Sequence, residues 1–207
     1  MASKQNRKLA DEIPSLRSKE LEGRFQFIKD GILRTNTALA LQHIIVLIAI
    51  IDREKADKTT IASSIYKDMV VHYATIVESC IHYCLRRYIE EGRTKESRIM
   101  PKEWKVEESR MLYQISKKRR VCGILEYEKA ERLTKQTNFI VINRTSKKAG
   151  ILTKKLFQKA EMLRETRNNI HLAGLRTVDS FQKSDAQKAS ENMAQIVERV
   201  EKKLNEL

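Results

Sequence analysis

The chain has 207 residues, which is enough for one domain with a substantial core. Glycine (6) and proline (2) are scarce, and the many Leu, Ile, Ala, Glu, Lys and Arg residues predict an all-α fold. A formal net charge of +14 and a pI near 9.7 favour an anionic partner, with nucleic acid first and an acidic membrane surface second. The sequence lacks a glycine-rich phosphate loop, a Gly-x-Ser-x-Gly motif and a carboxylate cluster suited to Mg²⁺. Any phosphate chemistry is therefore predicted to need no metal and no cofactor.

The chain divides into a tail and a single domain. Residues 1–14 are polar and mostly basic, which predicts a mobile tail, and residues 15–207 form the predicted helical domain. The first residues lack the apolar run of a signal peptide, and the number of cysteines is odd. These two features predict a cytoplasmic location with free thiols at Cys80, Cys84 and Cys122.

Three helices are predicted in the first half of the chain. A rough helical stripe covers Ser15–Asp30, and a long helix runs from about Ile61 to Glu91, where Gly92 stops it. Between them, Ala38–Ile51 is the most apolar stretch, but it has only 14 residues and a membrane span needs about 20. We therefore expect this stretch to be a fully buried core helix and the protein to have no membrane contact.

Glu78 lies in an otherwise apolar part of the long helix, ATIVESCIHYCL. An unpaired charge there would be costly. Glu78 therefore reaches solvent, pairs with His82 four residues later, or contacts a basic strip on another helix. Cys80 and Cys84 could form half of a metal site, but buried structural thiols are the better interpretation, and no metal is predicted.

The second half is also predicted to be helical. Phe139–Ile142 is the exception, since its composition fits either a short buried helical segment or an extended one. A capping box, Ser184 with Gln187, precedes the last helix. The predicted helices are Lys102–Arg120, Ile124–Lys135, Ile151–Asn169 and Asp185–Leu207.

Thirteen residues, Leu163–Leu175, carry the strongest signal for chemistry. On an α-helix, Arg164 and Arg167 both lie within about 40° of the direction of His171. These three residues form what we call the Arg/His strip, and Asn168 lies beside it. Arginine offers a planar fork that matches phosphate oxygens, and histidine accepts and returns a proton near neutral pH. The strip is thus suited to a phosphodiester substrate. The alternative is a solvated helix end on which the histidine caps a backbone carbonyl.

Positive charge is concentrated around this strip. Arg144–Arg176 holds nine Lys/Arg against two Asp/Glu, a net of +7, which is half of the total charge. Such a field favours binding of a polyanion. The residues predicted to contact RNA are Lys147, Lys148, Lys154, Lys155, Arg119 and Arg120.

The Arg/His strip, with its Arg167-Asn168 dipeptide, resembles the Arg-x(4–6)-His signature of HEPN domains (higher eukaryotes and prokaryotes nucleotide-binding). The acid-bearing helix around Glu78 resembles the first half of that all-α fold. The likeness covers about Lys58–Gly174. It implies an up-and-down helical bundle with additional helices, a symmetric homodimer, and a metal-independent endoribonuclease of a prokaryotic toxin–antitoxin or phage-defence system. It also implies a cognate antitoxin or defence partner.

In this interpretation the two strips of the dimer form one composite site. His171 from each chain supplies the base and the acid for attack by a ribose 2′-OH. Arg167 and Arg164 stabilise the phosphoryl charge, and Asn168 orients a phosphate or the imidazole. Glu78 supports these residues. Glu165 departs from the family pattern after Arg164, so Arg167 ranks first. The alternatives are a noncatalytic HEPN-like module that binds RNA, a nucleotide or a partner, and a basic helical adaptor.

Overall fold

A computed structural model describes residues 18–54, 60–168 and 181–207. The predicted tail, residues 1–14, and His171 lie outside the described residues. Helices make up 65% of these residues, and two strands complete the structure. The described helices are α1 (Ser18–Gly23), α2 (Gly31–Glu54), α3 (Thr60–Glu90), α4 (Glu96–Ile99), α5 (Phe139–Lys148), α6 (Lys154–Asn168) and α7 (Lys183–Asn205); the strands are β1 (Lys102–Ser116) and β2 (Arg119–Ala130).

Helix α3 is the centre of the helical body. It has 31 residues, which corresponds to about 46 Å, and α2, α5, α6 and α7 all pack against it. Its apolar positions around Ile81 and Leu85 are completely buried. Gly92 follows the helix with a φ of +69°, a backbone conformation that glycine adopts without strain. The predicted long helix and its glycine stop are confirmed.

Helix α2 starts earlier than predicted, because the Asp30 carboxylate accepts the Leu33 backbone N–H at 3.1 Å and caps the helix at Gly31. The expectation of a fully buried helix was wrong. Leu39 and Ile48 are 46% and 40% exposed, since only one face of α2 packs against α3. By length and composition α2 is long and apolar enough to cross a membrane, but a core helix of a soluble protein meets the same criterion.

Residues 102–130 form an antiparallel β-hairpin, which corrects both the predicted helix Lys102–Arg120 and the predicted helix Ile124–Lys135. The basic run after Ser116 supplies the turn at Lys117-Lys118 and the first two residues of β2. The all-α prediction holds only in coarser form: the described protein is mostly helical with a small two-stranded sheet.

The hairpin lies outside the hydrophobic core. None of the described residues from 101 to 138 is part of the buried core, and every residue of β1 is exposed. Nine large apolar side chains on the hairpin are between 43% and 67% exposed. A two-stranded hairpin is only marginally stable alone, and these side chains add little burial to stabilise it. They are Trp104, Val106, Met111, Leu112, Tyr113, Ile115, Ile124, Leu125 and Tyr127.

Helices α5 and α6 form an antiparallel pair that carries the predicted strip. Phe139–Ile142 is helical, the first of the two predicted alternatives, and Gly150 turns the chain with a φ of +73°. Helix α6 starts at Lys154, three residues later than predicted. Helix α7 is capped by the Asp185 carboxylate, which accepts the Gln182 backbone N–H at 2.9 Å, so the capping residues differ from the predicted pair.

Candidate functional site

The C-terminal end of α6 borders a cleft of about 320 Å³. Three parts of the chain line it: the middle of α3, the connection that precedes α5, and the last turn of α6. The polar and charged side chains that line it include Glu78, Lys135, Thr137, Arg164, Arg167 and Asn168. The fold thus gathers four of the predicted site residues, two arginines, an amide and an acid, around one space.

Arg167 forms an ion pair with Glu78, joining α6 to α3 across 89 positions of sequence. Of the three alternatives for Glu78, the contact with a basic residue on another helix is therefore the one observed. The side chains are 37% and 25% exposed, so water still reaches the pair from the cleft. An incoming phosphate can approach the guanidinium from that side, because arginine has five N–H donors and one carboxylate occupies only some of them.

Arg164 is held more tightly than Arg167. Its Nε donates to Glu161 at 3.1 Å, a second nitrogen lies 3.3 Å from Glu165, and the side chain is only 15% exposed. Glu161 also accepts a hydrogen bond from the amide of the buried Asn143 at 2.8 Å. Two carboxylates, one of them held by a buried amide, therefore fix the Arg164 guanidinium beside the cleft, and Arg167 is the more accessible arginine.

The sequence predicts two histidines near this site: His82, as one alternative partner of Glu78, and His171, on the Arg/His strip. His82 lies with its Nε2 2.9 Å from the backbone oxygen of Thr134, in the connection that leads toward the cleft, and so has a partner other than Glu78. His171 lies outside the described residues, three positions beyond Asn168. Asn168 itself is exposed and lines the cleft.

A second cleft of about 450 Å³ adjoins the first. The two share Glu78, Lys135 and Thr137, and the second extends to the start of α2 at Asp30. Arg86 lies there, with one guanidinium nitrogen 3.5 Å from the Asp30 carboxylate. The two clefts together form a groove that passes over α3, from the start of α2 to the end of α6.

The four predicted RNA-binding lysines lie together at the opposite end of the α5–α6 pair. Lys147 and Lys148 end α5, and Lys154 and Lys155 begin α6. The Lys147 ammonium stacks on the Phe157 ring, 4.7 Å from its centroid. Lys154 and Arg167 are thirteen positions apart on the helix, about 20 Å. The lysines are thus a separate basic surface on the same helices.

Arg119 and Arg120 are far from both the cleft and the lysine surface. They begin β2 next to the hairpin turn, about 35 Å along the strand from its base at Ala130. The structure therefore does not bring them to the cleft.

The cysteines on α3 have no chemical role in this cleft. Cys80 and Cys84 are buried, as predicted, and burial raises the pKa of the Cys84 thiol to about 12, so it stays protonated. Burial raises the pKa of Cys80 as well. Among the described residues, no group of three or more His, Cys, Asp or Glu side chains is arranged to hold a metal ion.

Sequence reasoning missed one wall of the cleft, the connection from Lys135 to Asn138. Lys135 and Thr137 line both clefts, and Asn138 precedes the first turn of α5. A polar Thr-Asn pair directly before an apolar run is a helix-start signal, and it would have placed this connection beside the start of α5.

No model of a known protein family matches the chain, and neither a curated protein nor a solved structure matches it.

Proposed function

We propose that the protein is a HEPN-like, metal-independent endoribonuclease that acts in prokaryotic toxin–antitoxin or phage defence in the cytoplasm. The observation that carries the proposal is the cleft at the end of α6, where Arg167 and Arg164 meet Glu78 from α3. In the sequence His171 follows that helix end by three residues and Arg167 by four, the spacing on which the predicted strip rests.

The reaction is a transesterification within RNA. The ribose 2′-oxygen bonds to phosphorus while the bond to the 5′-oxygen breaks, leaving a 2′,3′-cyclic phosphate. One histidine accepts the 2′-OH proton, and a second protonates the departing 5′-oxygen. Because each chain contributes one His171, the proposal requires a homodimer whose two strips meet.

The arginines have distinct roles in this mechanism. Arg167, which is more exposed, binds the phosphoryl oxygens as negative charge grows on them. Arg164, which Glu161 and Glu165 hold beside the cleft, adds a second, fixed positive charge near the phosphoryl group. Lys147, Lys148, Lys154 and Lys155 hold the RNA strand beyond the cleft, since phosphate contacts supply affinity without sequence information.

The test is incubation of purified protein with total RNA in excess EDTA. Wild-type protein is expected to cleave and to leave 2′,3′-cyclic phosphate ends. His171→Ala is expected to lower the rate by about 10²–10⁴-fold while RNA affinity survives. His43→Ala is the matched control, because His43 lies on α2 outside the cleft, and it should cleave like wild type. Equal cleavage by wild type and His171→Ala would contradict the proposal.

A second candidate is a noncatalytic HEPN-like module that binds RNA, a nucleotide or a protein partner such as an antitoxin. The pairing of both cleft arginines with carboxylates favours it, because such pairs reduce the positive charge available to a transition state. This candidate predicts RNA binding without cleavage in wild type and in His171→Ala alike.

A further inference from the structure

The two edges of the β-hairpin differ in how well they can pair with a further strand. Extra residues interrupt β1 at Glu107, Leu112 and Ile115, where the register shifts, whereas β2 pairs without an interruption from Arg119 to Ala130. Bulges twist a strand and spoil its edge for further pairing. Within the described residues the sheet has two strands, so the outer edge of β2 has no strand beside it.

Charge is divided along β2. The strand starts with Arg119 and Arg120, has an uncharged middle, VCGIL, and carries Glu126 and Glu128 in its second half, followed by Lys129 near its end. Two antiparallel copies of such a strand place the basic end of each beside the acidic half of the other. The charges on two copies of β2 are therefore complementary when the two copies run in opposite directions.

We propose that two copies of this chain join through their β2 edges, forming a continuous four-stranded antiparallel sheet with the two-fold axis at Gly123. In this register Arg120 lies opposite Glu126 of the partner subunit, and Val121 lies opposite Leu125 of the partner subunit. Cys122 lies opposite Ile124 of the partner subunit. Each of these three cross-strand pairs joins opposite charges or two apolar side chains, the contacts that stabilise a sheet.

The exposed apolar side chains support a sheet contact of this kind. A two-stranded hairpin is marginal in water, whereas four strands gain both backbone pairing and lateral apolar contacts. Joining the copies places Ile124 and Leu125, 60% and 55% exposed in one chain, against apolar side chains of the second. The open edge of β2 becomes internal to the sheet, which removes the risk of aggregation through an unpaired strand.

The sheet contact is separate from the contact that the nuclease proposal requires. Seven residues separate Gly123 from the hairpin base, so the two bases lie about 45 Å apart. The four-stranded sheet therefore holds two clefts apart, and the inference does not rest on the proposed function.

Charge reversal and rescue test the contact. Within one hairpin Arg120 lies opposite Gln114 and Glu126 opposite Val106, so reversing either charge breaks no ion pair across the hairpin. Arg120→Glu is expected to halve the mass measured by size-exclusion chromatography with light scattering. The double variant, Arg120→Glu with Glu126→Arg, is expected to restore it. Glu108→Arg, on the interrupted strand β1, is the control and should leave the mass unchanged.

A thiol crosslink reads the register directly. Cys122 is exposed and the other two cysteines are buried, so native protein offers one reactive thiol per chain. In the proposed register the two Cys122 residues are diagonal neighbours, and a bismaleimide that spans about 8 Å should link them in wild type but not in Arg120→Glu.

Three outcomes would overturn the inference. One is a wild-type mass equal to that of Arg120→Glu. Another is a wild-type oligomer in which Cys122 does not crosslink, since the contact then lies on another surface. The third is a double variant that fails to recover the lost mass, which would exclude the pairing of positions 120 and 126. All three outcomes are measured without RNA, so they are independent of the result of the nuclease assay.

Discussion

At the residue scale, the Arg167–Glu78 pair is the contact that links the cleft to the core helix. Replacing Glu78 by Gln removes the negative charge that competes with a phosphate for Arg167. We expect Glu78→Gln to bind a short RNA more tightly, by about 2–10-fold, and to lose about 0.5–1 kcal/mol of stability, because the pair is partly exposed. Fluorescence anisotropy and thermal unfolding measure the two effects.

The matched control is Glu91→Gln, one residue beyond the same helix. Glu91 also pairs with an arginine, Arg87, and neither residue lines either cleft. If both variants changed RNA affinity equally, the effect would reflect net charge alone, and Arg167 would not be a phosphate contact.

His72 makes stability depend on pH. Burial lowers the pKa of His72 below its ordinary value, and the neighbouring His43 lowers it further, whereas Asp68 opposes the shift. Between the folded and unfolded pKa values the unfolded chain binds the extra proton, so the free energy of unfolding falls as the pH drops below about 6.5.

We expect His72→Gln to reduce this loss. Urea unfolding at about pH 7.5 and about pH 5.5 measures it. The decrease between the two pH values should be smaller in the variant than in wild type. An identical decrease in both would assign the pH dependence to other groups.

At the element scale, the end of α3 depends on one glycine. Gly92 has a φ of +69°, so a side chain there is strained even though nothing lies within 4 Å of an added Cβ. Gly92→Ala is expected to cost about 1 kcal/mol. Gly31→Ala, at the start of α2, has open space and no positive φ, and should be nearly neutral. Comparing their denaturation midpoints checks the prediction; an equal cost in both would contradict it.

The helices were predictable because local signals and burial agree in them. In α3, the apolar positions and the terminal Gly92 both indicate one long helix, which is observed. The contact between Glu78 and Arg167 was also within reach, since a charge in an apolar stretch needs a partner. The connection around Lys135 was missed because a connection has no periodicity to mark which helix it lies against.

The hairpin could not be predicted in the same way. Both of its faces are exposed, so it lacks the alternation of buried apolar and exposed polar residues that marks a strand. Its turn, Lys117-Lys118, lacks the Asn-Gly or Asp-Gly signal, and its many Lys and Glu residues favour helix by propensity. The bulge at Glu107 also shifts the apolar positions of one face from even numbers, Trp104 and Val106, to an odd number, Met111, hiding the period of two.

At the scale of the whole molecule, the protein consists of a helical body with the cleft and a hairpin that projects from it. The two ends of the hairpin meet at the body, where Lys102 pairs with Ala130 and the Glu131 N–H donates to the Pro101 carbonyl at 2.9 Å. A two-residue Asn-Gly turn can therefore replace residues 103–129 and close the same pair.

We expect this shortened chain to fold with a free energy of unfolding within about 1 kcal/mol of wild type, because no core side chain is removed. Its assembly should contain half as many subunits as that of wild type if β2 joins two copies. Cleavage of RNA in EDTA should survive in it if the nuclease site is assembled by the helical bodies alone. Urea unfolding, light scattering and the RNA assay measure these three results on one protein. Loss of cooperative unfolding would show that the hairpin stabilises the body and would contradict the division into two parts.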